Sequence, residues 1–157
     1  PNVYSLRKRN YDMLRQPDTH MDLLLMDSMP KDAGIVRIHV AGDFFNSEYM
    51  WAWWLTASEN PNILFYAYTK SLRYWIDVVN EMPILDNFVL TASYGGRNDH
   101  MIDEHNLRSA KVVFSESEAN ILGLEIDHDD SHASIPSMRP QERRVRKECR
   151  SRCPPVP

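Results

Sequence analysis

Four short runs rich in β-branched and aromatic residues begin near positions 35, 63, 87 and 111, with a helical pattern in each gap. Nothing else in the chain restricts its fold as strongly as this spacing of about 25 residues. The runs read IVRIHV, ILFYAY, NFVLTAS and AKVVF. In the gaps, Ser47 is placed to cap a helix running to about Ser58, and Asn60-Pro61-Asn62 breaks it. Ser71 opens a second helix whose Trp75, Val78, Val79 and Met82 form one apolar face, ended by Pro83. A short polar helix is expected near Asp99–Asn106, and Ser115 with Glu118 has capping-box spacing. Strands joined by such crossovers become parallel neighbours, because the crossover is right-handed. The fold class is therefore α/β: repeated βαβ units with a parallel sheet of about four strands, either a small open sheet or part of a (β/α) barrel. A complete eight-stranded barrel takes about 250 residues, and this chain has 157. No sequence repeat accompanies the rhythm.

Two helices are expected before the first strand. One covers residues 3–16 and stops at Pro17; the next has Thr19 as cap, Met21, Leu24 and Leu25 on one face, and Pro30 as its end. Hydrophobic content of 43% and charged content of 25% are those of a soluble globular protein. No apolar run approaches the roughly 20 residues that span a bilayer. The chain opens at Pro1 without an initiator Met or a signal-peptide pattern, which reads as a fragment. The net charge is −4 but unevenly placed. Residues 139–157 hold seven basic groups against Glu142 and Glu148, leaving 11 basic and 20 acidic residues upstream. From Glu125 the periodicity dissolves. The expected organisation is a single α/β domain over residues 1–138, incomplete at its N-terminus, and a basic, disordered tail over 139–157. Such a tail is either a solvated end or a contact for a nucleic-acid backbone.

In parallel α/β folds ligands bind outside the carboxyl ends of the strands. Those ends supply Arg37, His39, Gly42 and Asp43, then Thr69 and Lys70, then Ser93, Gly95, Gly96 and Arg97, then Ser115 and Glu116. His39 lies two residues from Arg37 and is expected on the same pleat face. A His39–Asp43 pair has two readings: a proton-transfer or metal pair, or a satisfied histidine beside a turn-forming aspartate. Gly42 and Gly95-Gly96 allow positive φ and close approach, which suits an anion nest, and Lys70 and Arg97 offer countercharge. No Walker or dinucleotide fingerprint is present. Trp51, Trp53 and Trp54 sit in one helix, as core packing or as an aromatic platform for bases. DHDDSH (Asp127 to His132) reads as a solvated acidic turn, with a divalent-ion site as the alternative. Cys149 and Cys153 are the only cysteines, too few for a disulfide framework and a weak C-x-x-x-C signal for a metal.

The stretches RIHVAGDFFNSEYMWAW, FYAYTKSLRYW and TASYGGRNDH resemble the bacteriophage family called gene product eighty-eight. The family order "RIH-x-x-GDFF-x-x-EY…FYAYTKS…S-x-GGR-x-DH" falls on Arg37 to Tyr49, Phe65 to Ser71 and Ser93 to His100. Family proteins carry clustered cysteines upstream and further cysteines near the C-terminus. By analogy the arrangement is similar to radical S-adenosylmethionine barrels, in which three cysteines hold a [4Fe–4S] cluster. The resemblance implies that Pro1 marks a truncation, that a first strand is missing, and that Cys149 and Cys153 correspond to the C-terminal pair.

The resulting expectation is a phage protein in the cytoplasm of an infected host cell, with a ligand or cofactor pocket at the strand C-termini. The intact protein is expected to carry out radical S-adenosylmethionine-type iron–sulfur chemistry on a small-molecule, peptide or nucleic-acid substrate, and the fragment to be inactive. Arg37, His39, Asp43, Lys70, Ser93 and Arg97 position substrate or cofactor, with Asp43 or His39 as the acid/base. The alternative is a non-catalytic nucleic-acid-binding or interaction protein that uses the basic tail and the Trp-rich helix.

Overall fold

The computed structural model describes residues 2–16, 20–135 and 144–147. Thr19, the expected cap, lies outside them. Two helices, α1 (Val3–Leu14) and α2 (Met21–Asp27), precede β1 (Ile35–Arg37). The alternation continues with α3 (Ser47–Glu59), β2 (Leu64–Thr69), α4 (Leu72–Glu81), β3 (Phe88–Ser93), α5 (His100–Glu104) and β4 (Ser109–Val113). It closes with α6 (Glu116–Leu122), β5 (Glu125–Asp127), α7 (Ser131–Ser134) and β6 (Arg144–Lys147).

The strands form one sheet in the order β1-β2-β3-β4-β6-β5, and every pair is parallel. The four strands read from the sequence are neighbours in chain order. β5 and β6 are additions the periodicity did not show. The expected tail over 139–157 contains β6, whose backbone pairs with β4 and β5; the rest of that stretch, with Cys149 and Cys153, lies outside the described residues.

The sheet's two faces differ because of the register. Phe65, Ala67 and Thr69 of β2 stand beside Phe88, Leu90 and Ala92 of β3, and all of these face the helices. The main core joins Phe65, Ala67 and Leu90 to Met50, Trp53, Ala57 and Val78 of α3 and α4, with α2 packed outside through Leu25. Leu72, Ala92 and Ile102 continue this layer to α5, and Val113 with Ala119 continues it to α6. Helices α3 to α6 thus lie on one face. A sequential parallel order with right-handed crossovers requires this. The opposite face carries Arg37, Tyr66, Tyr68, Val89, Thr91 and Ser93, partly covered by α7.

Local caps match the pattern at α6 and depart from it at α3 and α4. Asn46, not Ser47, caps α3 by accepting from Tyr49 N–H at 2.9 Å. Ser115 caps α6, accepting from Glu118 N–H at 3.1 Å, while Glu118 accepts from Phe114 N–H at 3.0 Å. Ser71 precedes α4, but its hydroxyl donates elsewhere, to the Phe44 carbonyl at 2.7 Å.

Candidate functional site

The carboxyl ends of β1 and β2 are held together by one carboxylate. Asp43 accepts from Phe44 N–H (2.8 Å) and from the Thr69 hydroxyl (2.6 Å) through one oxygen, and from Lys70 N–H (2.7 Å) through the other. The exposed turn before it needs Gly42, whose φ is +90°. Lys70 then reaches toward the third strand, with its Nζ 3.4 Å from the Gly95 carbonyl. Gly95 has φ +96°, and a Cβ on Gly96 would lie 3.2 Å from Asp99 and 3.3 Å from Lys70. The backbone N–H groups of Gly95 and Gly96 both donate to Asp99, each at 2.9 Å. The expected anion nest is therefore formed, and the chain's own Asp99 fills it. Arg97 is exposed and Ser93 ends β3 half-buried; among the described residues neither joins the Asp43 network.

His39 and Arg37 part company. The strand stops at Arg37, so period-two alternation does not extend to His39. The imidazole packs edge-on against Phe44 at 4.7 Å and lies 5.8 Å from Tyr49. Both ring nitrogens are buried without a partner among the described residues. Burial pushes the imidazole pKa below its usual 6.5, and the charge of Asp43 opposes that only in part. Among the described residues, no group of three His, Cys, Asp or Glu side chains is placed to hold a metal ion.

Arg37 instead points to the face opposite the helices. Its Nε donates to the His39 carbonyl at 2.9 Å, its guanidinium lies 5.7 Å from the Tyr68 ring centre, and it pairs with Asp130. The Tyr66 and Tyr68 hydroxyls lie 3.4 Å from Asp130 and Asp127 respectively. Burial, and then the charge of Asp130, hold the Tyr66 phenol above its usual 10.0, so it stays a donor. DHDDSH is thus not a wholly solvated turn: Asp127 is buried and Asp130 binds Arg37. Sequence reasoning missed Tyr66, Tyr68, Thr91 and Asp99, and read Asp127 and Asp130 only as part of a solvated turn or a divalent-ion site. One signal for part of this was visible. In LFYAYT the small and apolar residues alternate with tyrosines, whereas a parallel strand covered on both faces is apolar throughout.

A groove of about 580 Å³ opens at the opposite end of the sheet, lined by Trp54, Trp75, Val79, Ile84, Phe88 and Leu107 among others. It lies at the amino end of β3, not at the carboxyl-end rim where a pocket was expected. The Trp-rich helix is core: Trp53 and Trp54 are buried, and Trp51 packs against the same cluster. Of the two readings of this helix, core packing is the one observed. No helix among the described residues is long and apolar enough to cross a membrane.

The sequence profile of the family described as Gene product 88 matches residues 1–153. The chain is also similar to the Gene 88 protein of Mycobacterium phage L5, 32% identical over 78 residues that cover 43% of this chain and 33% of the relative. It spans about one third of the length of that curated relative. No solved structure matches. With a parallel α/β fold and a family match along almost all of its length, the chain belongs to the Gene product 88 family of bacteriophage proteins.

Proposed function

We propose that this phage protein binds a small ligand where the carboxyl-end rim meets the tyrosine-bearing face of the sheet. The observation that carries this reading is the asymmetry of the sheet. With α3 to α6 on one side, the other side keeps Arg37, Tyr66, Tyr68 and Thr91 beside Lys70 and the Gly95-Gly96 loop. In β/α barrels such a face turns inward and its carboxyl-end rim receives the ligand. Sequential strand order and one-sided helices support a partial barrel. Lys70 and Arg37 supply positive charge, with Arg97, Ser93, Thr69 and Gly42 around them. Asp43, engaged by three donors, positions the rim; His39, the other expected acid/base, packs against Phe44 and Tyr49 with both nitrogens buried and supports the rim from the core side.

The iron–sulfur and S-adenosylmethionine part of the reading rests on family resemblance. The two cysteines lie outside the described residues, and the described side chains do not fit a [4Fe–4S] cluster. Nucleic-acid contact through residues 139–157, and location in the infected host's cytoplasm, belong to the same proposal.

The test is native mass spectrometry of the protein isolated from phage-infected cells. A non-covalent small-molecule adduct is expected on the wild type and should be lost from a Lys70→Ala/Arg37→Gln variant that still folds. No adduct on the wild type, or one that survives both substitutions, would count against the site.

A further inference from the structure

We propose that Arg37 is the anion-binding point of this face, and that the segment from β5 to α7 is a strap whose Asp130 carboxylate occupies Arg37 until an anionic ligand displaces it. This rests on the ligand-site reading above and names the ligand's chemistry: an oxyanion, either a phosphate ester or a carboxylate.

Arg37 is oriented before any ligand arrives. Its Nε is fixed on the His39 carbonyl, the Tyr68 ring lies beside the guanidinium, and only 21% of the side chain is exposed. A guanidinium held in this way presents its remaining N–H edge to oxyanions, which it binds in a fork. The anion now on that edge is Asp130, 93 residues away in sequence. It comes from a short segment that crosses this face. Asp130 precedes a four-residue helix, in the left-handed region at φ 60°. The tyrosine contacts that accompany the ion pair are both 3.4 Å, near the limit of a hydrogen bond.

One hydroxyl at this face is left unsatisfied while the strap is closed. Thr91 is 4% exposed and stands beside Tyr68 on the same face, and its hydroxyl has no partner among the described residues. Buried polar atoms normally find partners. A polyoxygen ligand taking the place of Asp130 supplies an acceptor for the Thr91 hydroxyl. A tethered carboxylate competes at an effective concentration of about millimolar order, so freeing Arg37 should sharpen anion binding measurably.

Inorganic phosphate and sodium acetate are titrated at constant ionic strength, with chloride as control, into wild type, Asp130→Asn and Arg37→Gln/Asp130→Asn proteins, observed by amide and guanidinium NMR. Asp130→Asn should bind one of the two anions at least about tenfold more tightly than wild type, with shifts at Arg37 Nε–H and Tyr66, and the double variant should lose this. Preference for phosphate assigns a phosphate ester; preference for acetate assigns a carboxylate. In the wild type, the preferred anion at saturation should speed hydrogen exchange across residues 127–134, an arm that holds if Asp130→Asn does not fold. Equal binding by the single and double variants, no binding by either, or unchanged wild-type exchange overturns the strap. Shifts at Lys70 and Gly95 in all three proteins without any at Arg37 would overturn the strap and leave the ligand site standing. Silence at both places removes both readings.

Discussion

Asp43 uses both carboxylate oxygens to close the gap between two strand ends. Hydrogen bonds to charged groups are worth about 1.5–3 kcal/mol each, and donors left unpaired add to the loss. Asp43→Ala is therefore expected to cost about 3 kcal/mol, read as a lower urea midpoint with an unchanged slope; a loss under about 1 kcal/mol would mean that water replaces the clamp. His39 gives the second residue-scale prediction. Its folded pKa lies below 6.5, so beneath about pH 6.5 the unfolded chain binds more protons than the folded one. Stability should fall as pH drops through that value, and this contribution vanishes above it. His39→Phe keeps the ring against Phe44 and Tyr49 and removes two buried unpartnered nitrogens. At pH 7 it should gain about 1 kcal/mol, and its melting temperature should fall less than that of wild type between pH 7 and 5. Parallel pH profiles would refute this account. Asp43, Thr69 and Lys70 were legible as a cluster because each lies where a strand pattern ends. Asp130 was not, because its partner Arg37 is 93 residues away.

At the scale of elements, the boundaries came from local chemistry and the attachments from side chains that sequence patterns do not rank. Asn87, just before β3, is one of these. Its Nδ2 lies within hydrogen-bond distance of the carbonyls of Ala57 (2.9 Å), Asn60 (3.1 Å) and Ile63 (3.0 Å), which share its two N–H bonds. One amide thus ties the end of α3 and the approach to β2 onto the entry of β3. Asn87→Ala should cost about 2 kcal/mol by leaving these carbonyls short of donors, and Asn87→Asp should cost more, because a carboxylate repels them. Denaturant unfolding of the three proteins checks the order; an Asp variant as stable as wild type would contradict it. The helices α3 and α4 were readable from their apolar faces and from Pro83. The strands β5 and β6 were not. EID and RVRK are too short and polar to show a period, and backbone pairing with neighbours identifies them.

For the whole molecule, the packing of Trp51, Trp53 and Trp54 against the core favours the basic segment 139–157 over the Trp-rich helix for any nucleic-acid contact. Binding of a DNA or RNA duplex should then weaken steeply with salt and fall sharply on replacing Arg139, Arg143, Arg150 and Arg152 by Gln, which spares β6, while tryptophan fluorescence stays unchanged on binding. Tryptophan quenching by a single strand, or binding insensitive to these substitutions, would reverse that assignment.

The sequence alone determined the alternation of strands and helices, hence parallel pairing of β1 to β4 and a polar rim at their carboxyl ends. These follow from periodicity and from the handedness of crossovers, which act over tens of residues. It did not determine which side chains meet on the open face. Register placed Tyr66, Tyr68 and Thr91 side by side. Packing drew His39 toward Phe44, and the return of the chain past β5 brought Asp127 and Asp130 to them. Those contacts join residues with no common local pattern, so only the folded chain creates them.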